Sequence, residues 1–284
     1  MEIELASEMG FCFGVRRAID LAKKAVKEHE SLESLGAIVH NKQVVDMLTA
    51  QGMHIVENLD EMKGDTLLIP SHGVGHEVIE QIKARNLNVV DATCSIVRNA
   101  QKVARRLCKE GFTVLVFGNA SHTEVKGLLS WAGEGAMATT SVPELSTTPH
   151  KRVGILSQTT QSQKEFAGFV AQFMNSELAK FTEVFIFNTI CDATTRRQAA
   201  ALKLAAEVDL MLVIGGHDSA NTRHLAEICL STGVRTLHIE GINELNPLWY
   251  HGQPHIGITA GASTPEWVIR EVVQELERSP TRTN

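Results

Sequence analysis

The segment Gly10-Phe11-Cys12-Phe13-Gly14-Val15-Arg16 sets a pattern that recurs along the chain. Its cysteine lies between two glycines, after a short strand-like run and directly before a sequence with helical periodicity. The same order returns at Cys94, after Leu87 to Asp91, and at Cys191, after Phe185 to Ile190. Each copy predicts a strand that ends at the cysteine and a helix that begins there. Three copies, roughly 80 to 100 residues apart, indicate an internal repeat at the scale of a small α/β unit.

The alternation of strands and helices continues through the chain and predicts an α/β fold with parallel sheets. We expect three small units with pseudo-threefold symmetry. The predicted ranges are 1–93, 94–190 and 191–278, followed by a disordered tail at 279–284. The N-terminal strand, within residues 1–12, is a candidate to pack with the third unit. Ligands of parallel sheets collect at the carboxyl ends of strands, so all three cysteines fall where a site is expected.

Composition limits the classes of function. The chain has 284 residues, a formal net charge of -6 and a pI near 6.1, which disfavour nucleic acid and anionic membranes as partners. No apolar run reaches the roughly 18 residues that a membrane helix needs. The acidic N-terminus lacks the charge pattern of a signal peptide, so a cytoplasmic location is expected.

The number of cysteines favours metal chemistry over disulfides. Five is an odd number, and a cytoplasmic protein keeps its thiols reduced. A single cysteine would most simply be a small buried residue. Three at equivalent helix starts, where unpaired N–H groups favour the thiolate, instead predict a three-cysteine iron–sulfur site with one iron lacking a protein ligand. Cys108 and Cys229 fall inside predicted helices and are interpreted as structural.

Further polar residues follow apolar strands. A strand is predicted over residues 37–41 and ends at a histidine, and other predicted strands stop at similar groups. A lone histidine there is usually structural, but together these groups form a donor set suited to phosphate oxygens. The set comprises His40, His72, His122, Thr159, Thr160, Ser219, Asn221 and Ser263. His217 is a weaker candidate, and neither a P-loop nor a G-x-G-x-x-G pattern is present.

The sequence allows two interpretations of the role of Glu124. It is the only carboxylate beside this donor set that also precedes a predicted helix. An acidic residue there can stabilise the first turn of the helix. Alternatively, a water-poor cavity would raise the pKa of this carboxyl group and make it a proton donor.

The order of short motifs resembles one known family. The segments GFCFGV, VHNKQVV, SHGV, DATC, SHTEV, SQTT, ATTRRQ, SAN and TAGAST occur in the order seen in 4-hydroxy-3-methylbut-2-enyl diphosphate reductases of the non-mevalonate isoprenoid pathway. The resemblance runs from Gly10 to about Val273. Each motif is weak alone, but nine in order are specific. The resemblance implies a trefoil of three α/β domains around a central [4Fe-4S] cluster.

The resemblance also implies roles for individual residues. Cys12, Cys94 and Cys191 match the cluster ligands, and the remaining iron would take the allylic hydroxyl of the substrate. Glu124 matches the proton source, with Thr159 and His122 as further catalytic candidates. The implied products are isopentenyl and dimethylallyl diphosphate. The implied substrate ligands are His40, His72, His122, Thr159, Thr194, Ser219, Asn221 and Ser263.

The resemblance further implies a ferredoxin or flavodoxin as electron donor, and we expect a monomer. Two positions depart from the usual family pattern. Ala220 stands where a second serine is common, which removes a hydroxyl donor, and Thr123 replaces a common proline.

Two rival classes remain open at this point. Quinolinate synthase, another three-cysteine cluster enzyme with a three-domain trefoil, acts on carboxylates and would not show this motif order. A non-enzymatic iron–sulfur redox sensor, or a three-thiolate zinc protein, would use the same cysteines. Sensors usually hold their ligands in one short stretch beside a DNA-binding element, and this sequence shows no such element.

Overall fold

A computed structural model describes residues 1–143 and 151–278. The predicted tail at 279–284 lies outside the described residues. The strands of the described residues are β1 Glu2–Leu5, β2 Leu32–Leu35, β3 Met53–Val56, β4 Thr66–Ile69, β5 Asn88–Asp91, β6 Thr113–Phe117, β7 Met137–Thr139, β8 Arg152–Ser157, β9 Glu183–Phe187, β10 Leu210–Ile214, β11 Arg235–Ile239 and β12 His255–Ala260.

Helices connect most of these strands. The α-helices are α1 Phe13–Glu28, α2 Lys42–Ala50, α3 His76–Ala84, α4 Ser95–Lys109, α5 Thr123–Ala132, α6 Gln163–Ser176, α7 Asp192–Ala205, α8 Ala220–Leu230, α9 Pro247–Tyr250 and α10 Glu266–Arg278. Short 3₁₀ helices occupy Leu59–Glu61, Leu178–Lys180 and Ile242–Glu244. No helix among the described residues is long and apolar enough to cross a bilayer.

The strands form three four-stranded parallel sheets, which confirms the predicted α/β class. The strand orders are β3-β2-β4-β5, β7-β6-β8-β9 and β11-β10-β12-β1. The three orders are the same if β1 is counted as the fourth strand of the third sheet. β1 pairs with β12 from Glu2 opposite His255 to Leu5 opposite Ile258. In each sheet, the fourth strand leads to one of the three repeated cysteines.

The described chain forms two compact units. The first unit contains Met1–Arg16, Val39–Met47 and the chain from Asp192 onward, and it carries the third sheet. The second unit contains Arg17–Ile38 and Leu48–Cys191, and it carries the other two sheets. The division at residues 93 and 190 stays a prediction.

The central strands are apolar because both of their faces are covered. All five residues of β10 are buried. Leu212 faces a core that includes Val272 of α10, whereas Met211 and Val213 face a second core with Leu225 of α8. A strand buried on both faces reads as a continuous apolar run, which is why the sequence signal was strong. The sheet is thereby fixed between helices, with its strand ends available for polar loops.

The strand predicted over residues 37–41 is wrong. The first strand of this region is β2, and Gly36, with φ of +77°, ends it. Ile38 and Val39 are buried, but their carbonyls bond Ser71 N and Asn41 N in a bent segment. The apolar signal therefore came from a buried loop. The strands β2, β3 and β7 were not predicted.

Candidate active site

Each repeated cysteine is held by the same kind of backbone hydrogen bond. The N–H of Cys12 donates to Ala262 O at 3.1 Å, that of Cys94 to Ser71 O at 2.9 Å, and that of Cys191 to Thr159 O at 2.9 Å. Each acceptor lies in the loop after the neighbouring strand, β12, β4 or β8. Each acceptor is also a predicted site residue or the residue before one. The repeat therefore places every cysteine beside one loop of the donor set.

The three cysteines have the properties that thiolate ligands need. All are half-buried and stand at or just before the start of α1, α4 or α7. The N–H of Val15 points at the sulfur of Cys12, with a 3.4 Å separation between N and Sγ. Such N–H donors stabilise thiolates bound to iron–sulfur clusters. The three cysteines thus have the chemistry that a cluster needs. The described residues contain no group of three or more His, Cys, Asp or Glu side chains placed to hold one metal ion.

The other two cysteines differ in environment. All five cysteines are in the described part of the chain, and none forms a disulfide. Cys108 is exposed on α4, and Cys229 is buried in α8. Burial raises the pKa of the Cys229 thiol to about 12, so it stays protonated. Both lie inside helices, as the sequence predicts.

His122, Glu124 and Thr159 form what we call the glutamate group, in the second unit. Glu124 is the second residue of α5 and is 3% exposed. Thr159 N donates to Glu124 Oε1 at 2.7 Å, and Thr159 Oγ1 donates to Glu124 Oε2 at 2.8 Å. Thr159 also bonds Cys191 through its carbonyl. One threonine therefore connects the buried carboxyl group to the backbone of a repeated cysteine.

Burial raises the pKa of Glu124 above its ordinary value, and the two hydrogen bonds from Thr159 oppose that rise. Desolvation is the largest cause, because a buried carboxylate loses its water. Glu124 also lies where its alternative role would place it, in the first turn of α5, which begins at Thr123. A raised pKa lets this carboxyl group keep its proton to a higher pH than an exposed glutamate does, which suits an acid catalyst.

His122 is the N-cap of α5. Its Nδ1 accepts a hydrogen bond from Glu124 N at 3.2 Å. A nitrogen that accepts carries no hydrogen, so in the neutral ring Nε2 is the donor. The loop after His72 packs on the same helix, where Trp131 Nε1 donates to Val74 O at 2.9 Å. Nδ1 of His72 lies 3.0 Å from Gly73 O.

His40, Ser219, Asn221 and Ser263 form what we call the asparagine group, in the first unit. Ser263 Oγ donates to His40 O at 3.1 Å. A Cβ on Gly216 would lie 2.8 Å from the same carbonyl oxygen, so only glycine permits this approach. Ser219 N donates to Gly216 O at 3.0 Å. Three loops that are distant in sequence are therefore brought together.

The Asn221 side chain is buried and has no partner. It is the second residue of α8 and is 5% exposed, and neither Oδ1 nor Nδ2 has a hydrogen bond to any described residue. A buried amide without partners costs free energy, so folded proteins rarely keep one without a reason. A polar ligand at this helix start would satisfy it.

The remaining predicted residues have individual surroundings. Burial lowers the pKa of His40, while Asp218 raises it and Arg223 lowers it further. Thr194 is buried in the first turn of α7. His217 is half exposed, and its Nε2 lies 3.0 Å from Glu244 Oε2. His217, the weaker candidate among the predicted ligands, thus pairs with the carboxylate of Glu244.

Sequence reasoning missed two arginines that contact the cysteine loops. Arg197 Nη2 donates to Gly10 O at 2.8 Å, and Arg17 Nη1 donates to Thr93 O at 3.3 Å. The available signal was an arginine within two turns after a repeated cysteine. Arginines are common on helices, so that spacing alone did not single them out.

Comparison with known proteins identifies the family. The observations above define an α/β protein with three copies of one parallel sheet and a cysteine after each fourth strand. The model of the LytB protein family matches residues 3–277. The chain therefore belongs to the LytB family.

Two relatives cover nearly the whole chain. A protein of Dehalococcoides mccartyi is 46% identical over 98% of both chains. A protein of Geobacter sulfurreducens is 44% identical over 98% of this chain and 97% of its own. Both are named 4-hydroxy-3-methylbut-2-enyl diphosphate reductase.

Two solved structures share the fold. A structure of (E)-4-hydroxy-3-methyl-but-2-enyl diphosphate reductase is 38% identical, with a TM-score of 0.71 over 98% of this chain and all of its own. The structure of the reductase from Plasmodium falciparum is 27% identical, with a TM-score of 0.91 over 99% of this chain and 89% of its own. The family resemblance predicted from the motif order is thereby confirmed.

Proposed function

We propose that this chain reduces 4-hydroxy-3-methylbut-2-enyl diphosphate to isopentenyl diphosphate and dimethylallyl diphosphate. Two electrons and two protons enter, the C–O bond of the allylic hydroxyl breaks, and water leaves. Membership of the LytB family and the names of the relatives support the substrate. The chemistry of the residues at the strand ends supports the reaction type.

Cys12, Cys94 and Cys191 would together hold a [4Fe-4S] cluster. When bound, the cluster supplies the two electrons singly and an iron that acts as a Lewis acid toward the hydroxyl. Zinc would not serve, because it has no redox chemistry. The half-buried helix-start positions of the three cysteines and the N–H of Val15 aimed at Cys12 support this assignment.

The asparagine group would bind the diphosphate, with His72, His122 and Thr194 as further ligands. Asn221 Nδ2 and the Ser219 hydroxyl are donors suited to phosphate oxygens, and the Ser263 hydroxyl would turn from His40 O to donate in the same way. The unsatisfied amide of Asn221 supports this role, since a ligand would supply its missing partners. The first turn of α8 adds backbone N–H donors and the positive end of the helix dipole.

Glu124 would supply protons. The buried acid gives one proton to the departing hydroxyl or to the allylic carbon, and Thr159 Oγ1, in contact with its carboxyl group, can relay it. His122 would donate from Nε2 to the substrate. The observation that carries the proposal is the Glu124–Thr159 pair, because a buried acid beside a cysteine loop suits reductive loss of a hydroxyl.

The test is turnover by anaerobically purified protein with a chemical reductant and the hydroxylated C5 diphosphate. We expect both C5 diphosphate products and the release of water, with no activity on carboxylate substrates. Protein that carries iron and sulfide yet leaves the diphosphate unchanged would contradict the proposal and favour the quinolinate synthase class or a redox sensor. A ferredoxin or flavodoxin as physiological donor, a monomeric state and a cytoplasmic location are part of the same proposal.

A further inference from the structure

Arg197 connects the backbone beside two of the repeated cysteines. It lies on α7, six residues after Cys191, and its side chain is 4% exposed. Nη2 donates to Gly10 O at 2.8 Å, and Nη1 donates to Ala193 O at 3.0 Å. Gly10 lies two residues before Cys12, and Ala193 lies two residues after Cys191. One guanidinium group therefore bridges the two segments.

The Cys12 segment needs such a restraint. Gly10 adopts φ of +70°, a conformation that favours glycine, and glycine gives the chain little stiffness of its own. Backbone bonds fix the segment on one side, from Gly10 N to Ala260 O at 3.3 Å and from Cys12 N to Ala262 O at 3.1 Å. Arg197 fixes the other side, through the carbonyl of Gly10. A charge-assisted bond inside the protein is stronger than an exposed one.

Arg17 repeats the arrangement in a weaker form. It lies on α1, five residues after Cys12, and donates to Thr93 O at 3.3 Å and to Asp91 O at 3.4 Å. Those carbonyls lie one and three residues before Cys94. Its bonds are longer, and its side chain is exposed. In both cases an arginine on the helix after one cysteine holds the carbonyls just before another.

We propose that Arg197 is a positioning residue that holds the Cys12 loop against the first turn of α7, so that the cysteines keep the geometry a shared cluster requires. The inference rests on the proposed cluster. Arg197 acts through the backbone of the ligand loops and contacts no substrate in this role. Arg17 is a secondary restraint of the same kind.

The test compares Arg197→Gln with wild type and with Arg196→Gln. Arg196 is a matched control, because it is the adjacent residue of α7 and pairs with Glu8 and Asp192 on the same two segments, but at the exposed surface. We expect the cluster of Arg197→Gln to be lost about 10 to 100 times faster on exposure to a chelator, on the scale by which residues that support metal ligands change metal affinity. The control should stay within about twofold, because exposed ion pairs contribute little.

Spectroscopy separates positioning from general stability. If Arg197 only stabilises the fold, the protein that remains folded will hold a cluster with the wild-type EPR signal and midpoint potential. The proposal expects altered g values and a shifted potential in Arg197→Gln. Arg197→Lys keeps the charge but lacks the two-pronged donor, so its chelator loss rate should be intermediate. If Arg197→Gln fails to fold, Arg197→Lys replaces it in the comparison with wild type.

The outcomes are distinct. If wild type takes up a cluster and Arg197→Gln matches it in loss rate, EPR signal and potential, the inference is overturned and the proposed function stands. If the variant fails to fold and Arg197→Lys matches wild type in all three, the inference is likewise overturned. Wild-type protein that takes up no cluster overturns both.

Discussion

Glu124 and Asn221 occupy the same place in two copies of the repeated sheet. Each is the second residue of the helix after the corresponding central strand, β6 or β10, and each is almost fully buried. Both oxygens of Glu124 accept hydrogen bonds from Thr159, whereas both polar atoms of Asn221 lack partners in the described structure. The same scaffold position thus holds a satisfied acid in one sheet and an unsatisfied amide in another.

This difference indicates a division of labour. A carboxyl group that must hold and release a proton needs a fixed environment before the substrate arrives, and Thr159 provides it. An amide that binds an anion can leave its hydrogen bonds unmade until the ligand supplies them, at a cost to the stability of the ligand-free protein. The repeat therefore offers equivalent positions that have been adapted to chemistry and to binding.

The largest expected effect comes from removing the acid. Glu124→Gln keeps the shape of the side chain but cannot supply a proton, so we expect kcat to fall by about 10²- to 10⁴-fold. KM should change little, because the asparagine group is untouched. The measurement is steady-state turnover with a chemical reductant, at matched iron content. Near wild-type kcat would show that Glu124 has only the structural role of a first-turn carboxylate.

The second effect concerns binding. Asn221→Leu should weaken diphosphate binding about 10- to 100-fold, because a hydrogen bond to a charged group contributes roughly 1.5–3 kcal/mol. The ligand-free protein should be no less stable, since the substitution removes an unsatisfied buried group. The measurements are KM and the denaturant midpoint.

Thr222→Val provides the control for that variant. Thr222 is the next residue of α8, is fully buried, and has an unpartnered Oγ1, but this hydroxyl packs near Gly261 and Gly215. The affinity of Thr222→Val for the diphosphate should stay within about twofold of wild type, because the loss of a hydrogen bond to the ligand would weaken binding by more than that. If Asn221→Leu binds normally and loses stability, the amide has an internal role, and the comparison fails.

The third effect is on pH dependence. The side-chain hydrogen bond of Thr159 lowers the pKa of Glu124 against the rise caused by burial, so Thr159→Val, which loses this bond and keeps the backbone one, should raise that pKa further. Because the acid acts when protonated, the alkaline fall of kcat should move to higher pH. kcat itself should fall about tenfold if one bond of 1–1.5 kcal/mol is lost. An unshifted profile would indicate that another group governs the alkaline limb.

Protein stability should report the same ionisation. The pKa of Glu124 in the folded protein lies above that in the unfolded chain, so the contribution of this group to stability is full below its unfolded pKa and is lost as the pH rises through the raised value. Glu124→Gln should lack this decline. Denaturant midpoints across the pH range, for wild type and variant, provide the check, and parallel curves would argue against a buried titrating acid.

The smallest effect concerns the two cysteines outside the repeat. The pKa of Cys229 is about 12, so this buried thiol should not react with alkylating reagents at neutral pH, whereas the exposed Cys108 should. Protein alkylated while the proposed cluster protects Cys12, Cys94 and Cys191 should hold its full activity if Cys108 is structural. Mass spectrometry locates the modified residue, and modification of Cys229 in folded protein would contradict its assigned burial.

Much of this arrangement was predictable from the sequence, because its signals are local. Continuous apolar runs such as Leu210–Ile214 predicted buried parallel strands, and the repeated cysteines predicted the copies of the sheet. The segment containing Ile38 and Val39 gave a false strand, because burial of apolar residues does not distinguish a strand from a packed loop. The partners of Glu124 and the bridge made by Arg197 depend on residues 35 and 187 positions away, which no local pattern encodes.

The most direct test of the central claim is the iron and sulfide content of anaerobically purified Cys12→Ser, Cys94→Ser and Cys191→Ser, each beside Cys108→Ser and wild type. The account predicts about four iron and four sulfide per chain in wild type and Cys108→Ser, as a [4Fe-4S] cluster requires, and loss of most of both in each of the other three. Full and stable content in any one of those three, or a colourless wild-type protein with stoichiometric zinc, would contradict it.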